Sequence, residues 1–292
     1  TGARTRINIA KPDIVALFDE QPRPVFKRPE LGRILEEHRE NWRLQQSMTL
    51  DEFIVYLLKN TSLSRIHFKL PHRTETVFAW GDVSPYCIAS AVKTDGYLSH
   101  YMAMHLHELT DQLPETIYVN HEQRPQPKPA QPPTQETIDR AFKRPQRTSK
   151  NIAPFGRRRL CVLNGKHTGQ LGVIDATDAN DCPIRVTGIE RTLIDITVRP
   201  TYAGGVAEVL EAYRRAAGRV QVNHLVAMLR KMDFAYPYQQ AVGFYMERSA
   251  AFPEKRLDLL RTEEFEFDFY LTYAMQKTDH SKRWRLHFPA GF

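Results

Sequence analysis

Cysteine is scarce in this chain, and where it occurs it lacks pattern. Cys87, Cys161 and Cys182 are an odd number without CxxC spacing, so neither a disulfide framework nor a thiolate zinc site is expected, and all three read as buried thiols. Long apolar runs are missing too: charges interrupt every hydrophobic stretch well short of the roughly 20 residues a bilayer span needs. The segment Thr1 to Lys11 is basic but has no apolar region of the secretory kind, which makes the cytoplasm the expected location. Signatures of common active sites are equally absent. His100, His105 and His107 lie near Glu108, but positions two apart face different ways on a helix and no HExxH spacing exists, so no metal is expected. Gly165, Lys166, His167 and Thr168 resemble the end of a phosphate-binding loop, yet the upstream glycine of GxxxxGK[ST] is missing, and a hairpin turn is the simpler reading. No serine or cysteine sits in a nucleophile motif, so neither catalytic residues nor a cofactor are expected.

What the chain has is size and a localised positive charge. Its 292 residues, 41% of them hydrophobic, exceed a usual single domain and point to two folded units. Between His121 and Leu160 there are ten Lys or Arg against three acids, an excess equal to the whole-chain net charge of +7. Within that segment, RPQPKPAQPPTQ (Arg124 to Gln135) carries five prolines, which exclude helix and interior strand and predict an extended basic loop over 121–150. Lys143, Arg144, Arg147, Lys150, Arg157, Arg158 and Arg159 follow without an intervening acid. Such a stretch suits a polyanionic partner.

The periodicity from residue 10 to 83 gives three helices and a two-stranded ribbon, the order of a winged helix-turn-helix. Pro12 is placed at the head of a first helix ending at Glu20, and Pro29 at the head of a second with Leu31, Ile34, Leu35, His38 and Trp42 as a buried stripe. Thr49 and Glu52 form a capping box for a third helix whose apolar face is Phe53, Ile54, Leu57 and Leu58. Ser64 to Leu70 alternates, with Ile66, Phe68 and Leu70 opposite Arg65, His67 and Lys69, and Glu75 to Trp80 returns after a turn at Pro71 to Thr74. A ribbon with its apolar face on the helices and its basic face outward is what a wing lying along DNA requires. The third helix opens with Asp51 and Glu52, which would repel phosphate. The expected contacts in this part are therefore Arg65, Lys69 and Arg73 of the wing with Lys27 and Arg28, rather than that helix.

From residue 84 to 292 the pattern is mixed α and β, making the chain α+β overall. A helix is expected from Ser84 to Val92, another capped by Ser99, and a strand over Glu115 to Asn120. Arg158 to Asn164 and Gln170 to Ile174 read as strands around Asn164 and Gly165. Thr187 and Glu190 suggest a second capping box, with Asp195 paired to Arg191 one turn back. Helices over 206–217, 222–232, 238–250 and 253–261 and a strand over 265–270 complete the reading.

Two segments resemble AbiEi antitoxins: GYLSHYMAMHLHELTDQLPETIYVN (Gly96 to Asn120) and VTGIERTLIDITVRPTYAGGVAEVLEAYRRA (Val186 to Ala216), with TGIERTLID the more specific. The likeness spans roughly residues 10 to 230. It implies an N-terminal winged helix and a larger α/β domain, repression of the protein's own promoter at inverted repeats in double-stranded DNA, and neutralisation of a nucleotidyltransferase-like toxin without a necessarily stable complex. The competing reading is a metal-dependent nuclease with a winged-helix targeting module, for which Asp175, Asp178 and Asp181 near Lys166 are the candidate cluster.

Overall fold

The computed structural model describes residues 5–127, 131–261 and 264–292, so Thr1 to Arg4 and the middle of the proline-rich stretch, Lys128 to Ala130, lie outside it. The first helix, α1 (Arg6–Asp19), starts before the expected position and contains Pro12. Ile7, Ala10, Ile14 and Phe18 are buried at spacings of three and four, and packing of this stripe outweighs the single backbone hydrogen bond a proline removes. β1 (Val25–Phe26), α2 (Arg28–His38) and α3 (Leu50–Asn60) follow. The Thr49 hydroxyl accepts from the Glu52 amide at 3.3 Å and the Glu52 carboxylate accepts from the Thr49 amide at 2.8 Å, as the capping box requires. Trp42 falls in the turn after α2 but is still buried, stacked on Phe53.

β2 (Leu63–Leu70) and β3 (Arg73–Trp80) pair antiparallel from Leu63 opposite Trp80 to Leu70 opposite Arg73, and β1 joins β3. Period two sends the side chains of β3 to two different cores. Phe78 and Trp80, with Leu63 and Phe26, pack on the three helices. Val77 and Ala79, with Phe68, Leu70 and Val25, pack instead on the larger part of the chain. The Ile66, Phe68 and Leu70 face is thus seated on the second unit and not on the helices, which corrects the expectation for the ribbon.

The second unit begins with α4 (Pro85–Ser90), β4 (Tyr97–Leu98), α5 (Tyr101–Leu106) and β5 (Thr116–Glu122). Next come α6 (Gln135–Phe142), β6 (Ile152–Phe155), β7 (Arg158–Gly165), β8 (Val173–Thr177) and β9 (Pro183–Thr187). The five strands β5 to β9 and β4 form one sheet in the order β6-β7-β5-β4-β9-β8, with β5 parallel to β7 and β4 parallel to β9. Asn164 and Gly165 therefore do not turn a hairpin: the chain leaves β7 and crosses to the far edge, where β8 pairs with β9. α6 lies inside the segment expected to be a loop, because Thr134 caps it and Ile138 and Phe142, four residues apart, are both buried.

The helical half comprises α7 (Ile189–Val198), α8 (Val206–Ala216), α9 (Val222–Met232), α10 (Tyr238–Arg248) and α11 (Glu254–Leu257). β10 (Phe269–Tyr270), β11 (Thr278–Ser281) and β12 (Leu286–Pro289) close the chain as a small sheet, seating the fully buried Trp284 against Gly243 of α10. The second capping box does not form. Thr187 ends β9 and bonds to the Thr192 hydroxyl at 2.8 Å, Gly188 occupies the cap, and Glu190 accepts from the Gln221 amide at 2.8 Å. Ser99 likewise bonds to the His100 ring rather than capping α5. The architecture is mixed α+β, and no helix among the described residues is long and apolar enough to cross a membrane.

Candidate nucleic-acid interface and basic cleft

The cations of the N-terminal part divide into tied and open ones. Lys27 donates to the Val92 carbonyl and lies 3.6 Å from the Glu75 carboxylate, which also meets Arg73 at 3.0 Å and Lys93 at 2.5 Å. Burial alone would raise the Glu75 pKa, but the hydrogen bond and charge of Lys93, with Lys27 and Arg73, hold it below the ordinary value. Desolvation in the same cluster lowers the Lys27 pKa. Lys27 is thus a fastener between the two units, not a contact held out to solvent. Arg28 is exposed but takes both oxygens of Asp51, at 2.5 and 3.1 Å, at the head of α3. This neutralises part of the acidity noted at that helix. Arg65 lies over the Phe78 ring at 5.5 Å, and it and Lys69 are exposed on the face of β2 opposite to Phe68.

The basic segment is split in two by the sheet. Arg157, Arg158 and Arg159 sit at the β6–β7 turn, whereas Arg147 and Lys150 lie towards the other end of β7, where Ser149 and Asn151 bond to Val162. The full strand from Arg158 to Gly165 spans about 23 Å at some 3.3 Å per residue. The turn adjoins the hairpin: the rings of Phe155 and Phe68 meet edge to face at 4.9 Å. That contact seats the β6–β7 turn, with Arg157, against β2, whose Arg65 and Lys69 project from the face opposite to Phe68. The three arginines of the turn are not equivalent. Arg157 is exposed, Arg158 is half-buried over the Tyr86 ring with a 2.7 Å hydrogen bond to its hydroxyl, and Arg159 points to the opposite face, 3.7 Å from Glu115.

The other basic group borders a cleft of about 910 Å3 between the sheet and the helical half. Arg124, Arg147, Lys150, Lys166 and Arg199 stand around it, and Tyr202, Phe234, Tyr236, Tyr238 and Tyr273 form its aromatic walls. Lys143 and Arg144 are exposed just beyond Phe142, whose ring stacks on Tyr273 at 4.2 Å. At the bottom lie Asn120, Arg191, Asp195 and His100. Arg191 is buried and reaches Asp195 at 2.8 Å, the Leu171 carbonyl at 2.6 Å and the Thr168 hydroxyl at 3.0 Å. The pairing one turn apart is the one the sequence suggests. Glu122 accepts from the amides of Thr168 and Gln170. Burial works to raise its pKa, but the Thr168 and Gln170 bonds and the charge of Arg191 keep it low. The Gly165 to Thr168 stretch is consequently a loop wrapped on Glu122, and a Cβ at Gly165 would fall 2.5 Å from the Asn120 amide.

His100 is buried in a left-handed backbone conformation (φ 53°, ψ −128°) that few residues other than glycine adopt, with its ring edge-on to Tyr202 at 5.4 Å. Burial pushes its pKa down to about 4, so it is neutral at physiological pH. Nothing in the sequence pattern marks His100, Asn120 or Asp195 as neighbours, since β4, β5 and α7 bring them together only in the fold. The other two histidines have separate surroundings: His107 bonds to the Thr187 carbonyl at 2.6 Å, and His105 lies beside Tyr86. The candidate nuclease acids do not converge on Lys166. Asp175 is exposed on the edge strand β8, Asp178 is buried holding the amides of Asn180 and Cys182, and Asp181 is in the β8–β9 turn. Lys166 instead donates to the Asp233 carbonyl and lies over Phe234 at 5.2 Å.

Neither a protein-family model nor a curated protein matches the chain. Among solved structures, the crystal structure of RV2827C protein from Mycobacterium tuberculosis is similar over 98% of this chain and 94% of that one, with 15% sequence identity and a TM-score of 0.56. At that identity the likeness concerns the fold alone.

Proposed function

We propose that this chain is a double-stranded-DNA-binding regulator of the AbiEi antitoxin type, acting by binding rather than catalysis. In this reading residues 10–83 are a winged helix-turn-helix whose wing, β2 and β3, contacts phosphates. The observation that carries it is the exposure of Arg65 and Lys69 on the hairpin and of Arg157 in the β6–β7 turn, which the Phe68–Phe155 contact seats against the same hairpin. A thin wing thereby becomes a broader cationic edge, suited to a phosphate backbone. Arg28 is exposed but held by Asp51, so that pair adds no net charge. Repression at inverted repeats of the protein's own promoter, and neutralisation of a nucleotidyltransferase-like toxin by the larger unit, rest on the resemblance of the two AbiEi-like segments.

The test is gel-shift binding of the full chain to duplex DNA from upstream of its own gene. Arg65→Glu and Arg157→Glu, each at an exposed side chain, should weaken binding by about tenfold or more while leaving thermal unfolding unchanged. Wild-type affinity in both variants would place the DNA elsewhere.

A further inference from the structure

The cleft is a second site, remote from the proposed DNA edge, and its lining has three chemically distinct zones. Its mouth is cationic: the side chains of Arg124, Arg147 and Lys150 are exposed and in no ion pair among the described residues. Its lining is rich in aromatic side chains, Tyr202, Tyr236 and Tyr273 among them. Its floor has hydrogen-bond acceptors without donors. Asn120 is 3% exposed and Asp195 is 7% exposed, yet Asn120 Oδ1 and Asp195 Oδ2 have no hydrogen-bond partner among the described residues.

Unmet buried acceptors of this kind are costly, and a ligand that donates to them recovers the loss. The Asn120 amide nitrogen is already committed to the Tyr97 hydroxyl at 2.8 Å, which fixes its oxygen as the free end. Asp195 keeps one oxygen on Arg191, and its other oxygen is buried without a partner among the described residues. A hydroxyl or amino donor is therefore wanted at the floor, a flat ring between the walls, and negative charge at the mouth. His100, held in its strained conformation beside these acceptors, shapes the same floor with a neutral ring.

We propose that this cleft binds a nucleoside 5′-phosphate, with ribose or base donors towards Asn120 and Asp195, the base against the tyrosines, and the phosphates at Arg147 and Lys150. The cleft volume of about 910 Å3 accommodates a ligand of this size. Free nucleotides and the phosphorylated end of a nucleic-acid strand share this chemistry. The proposal goes beyond the DNA-binding reading and stands independently of it.

Titration calorimetry of the full chain with ATP, GTP, CTP, UTP and inorganic triphosphate tests it. At least one nucleotide should bind saturably and about tenfold or more tighter than inorganic triphosphate, because only the nucleoside reaches the walls and floor. Arg147→Ala with Lys150→Ala should weaken that binding about tenfold or more with thermal unfolding unchanged, since both side chains are exposed. A 5′-phosphorylated tetranucleotide as competitor assigns the source: tighter binding than any free nucleotide identifies a strand end, weaker binding a free nucleotide. No saturable binding by any nucleotide into the millimolar range, equal binding of inorganic triphosphate, or an unchanged affinity in the double variant would overturn it.

Discussion

Glu75 shows how a single side chain can hold two parts of a chain together. It sits in β3 and collects Lys27, Arg73 and Lys93, the last only 8% exposed. Replacing it with Ala leaves a buried ammonium without a counter-charge, so Glu75→Ala should cost about 3 kcal/mol in chemical denaturation. The pH dependence follows from the direction of its shift. A carboxyl with a depressed folded pKa contributes stability that is complete above its unfolded value near 4.3 and is lost as pH falls through the lower folded value. Wild type should therefore lose more stability than Glu75→Gln between about pH 5 and pH 3, and parallel curves would remove the cluster's role. Thr187 is a smaller case. Its buried hydroxyl bonds to Thr192 instead of capping a helix, so Thr187→Ala should cost about 1 kcal/mol with DNA affinity intact; an unchanged unfolding midpoint would contradict that bond's contribution.

Elements whose signals are local were legible in the sequence, and those set by distant partners were not. α2 and α3 follow from apolar spacing and the Thr49–Glu52 box, and β2 from strict alternation, because each rule acts within a few residues. The same Thr–Glu spacing at Thr187 and Glu190 misleads because β9 draws Thr187 into the sheet and Gln221 takes Glu190. β7 was visible as a strand, but its parallel pairing with β5, across more than thirty residues, has no local signature. That pairing is what divides the basic segment into the β6–β7 turn and the border of the cleft, so the basic residues were legible in the sequence while their grouping was not. The tail was opaque for a related reason: β10, β11 and β12 have two to four residues each and depend on Trp284. A Cβ at Gly243 would lie 2.0 Å from that ring, so Gly243→Ala should cost about 2–3 kcal/mol or more, read as a fall in the unfolding midpoint. A neutral outcome would mean the tail sheet is not docked on α10.

At the scale of the whole molecule, the two units share a core and do not separate cleanly. Phe68, Leu70, Val77 and Ala79 pack with Ile117, Val119, Leu160 and Val162, so a cut near residue 84 would expose apolar surface on both fragments. The orientation of the β2–β3 hairpin relative to the β6–β7 turn is consequently fixed by packing, and the full chain is the proper object for binding measurements. If the wing and the turn together neutralise about six phosphates, the affinity for duplex DNA should fall with salt at a log–log slope near −5. The most direct measurement is fluorescence anisotropy with a duplex from the protein's own upstream region, repeated from low to moderate salt for the wild type and for Arg65→Ala, Lys69→Ala, Arg157→Ala combined. The expected result is a slope near −5 that flattens by about 3 in the triple variant. A flat salt response in the wild type, or an identical slope in the triple variant, would contradict a DNA interface along this edge.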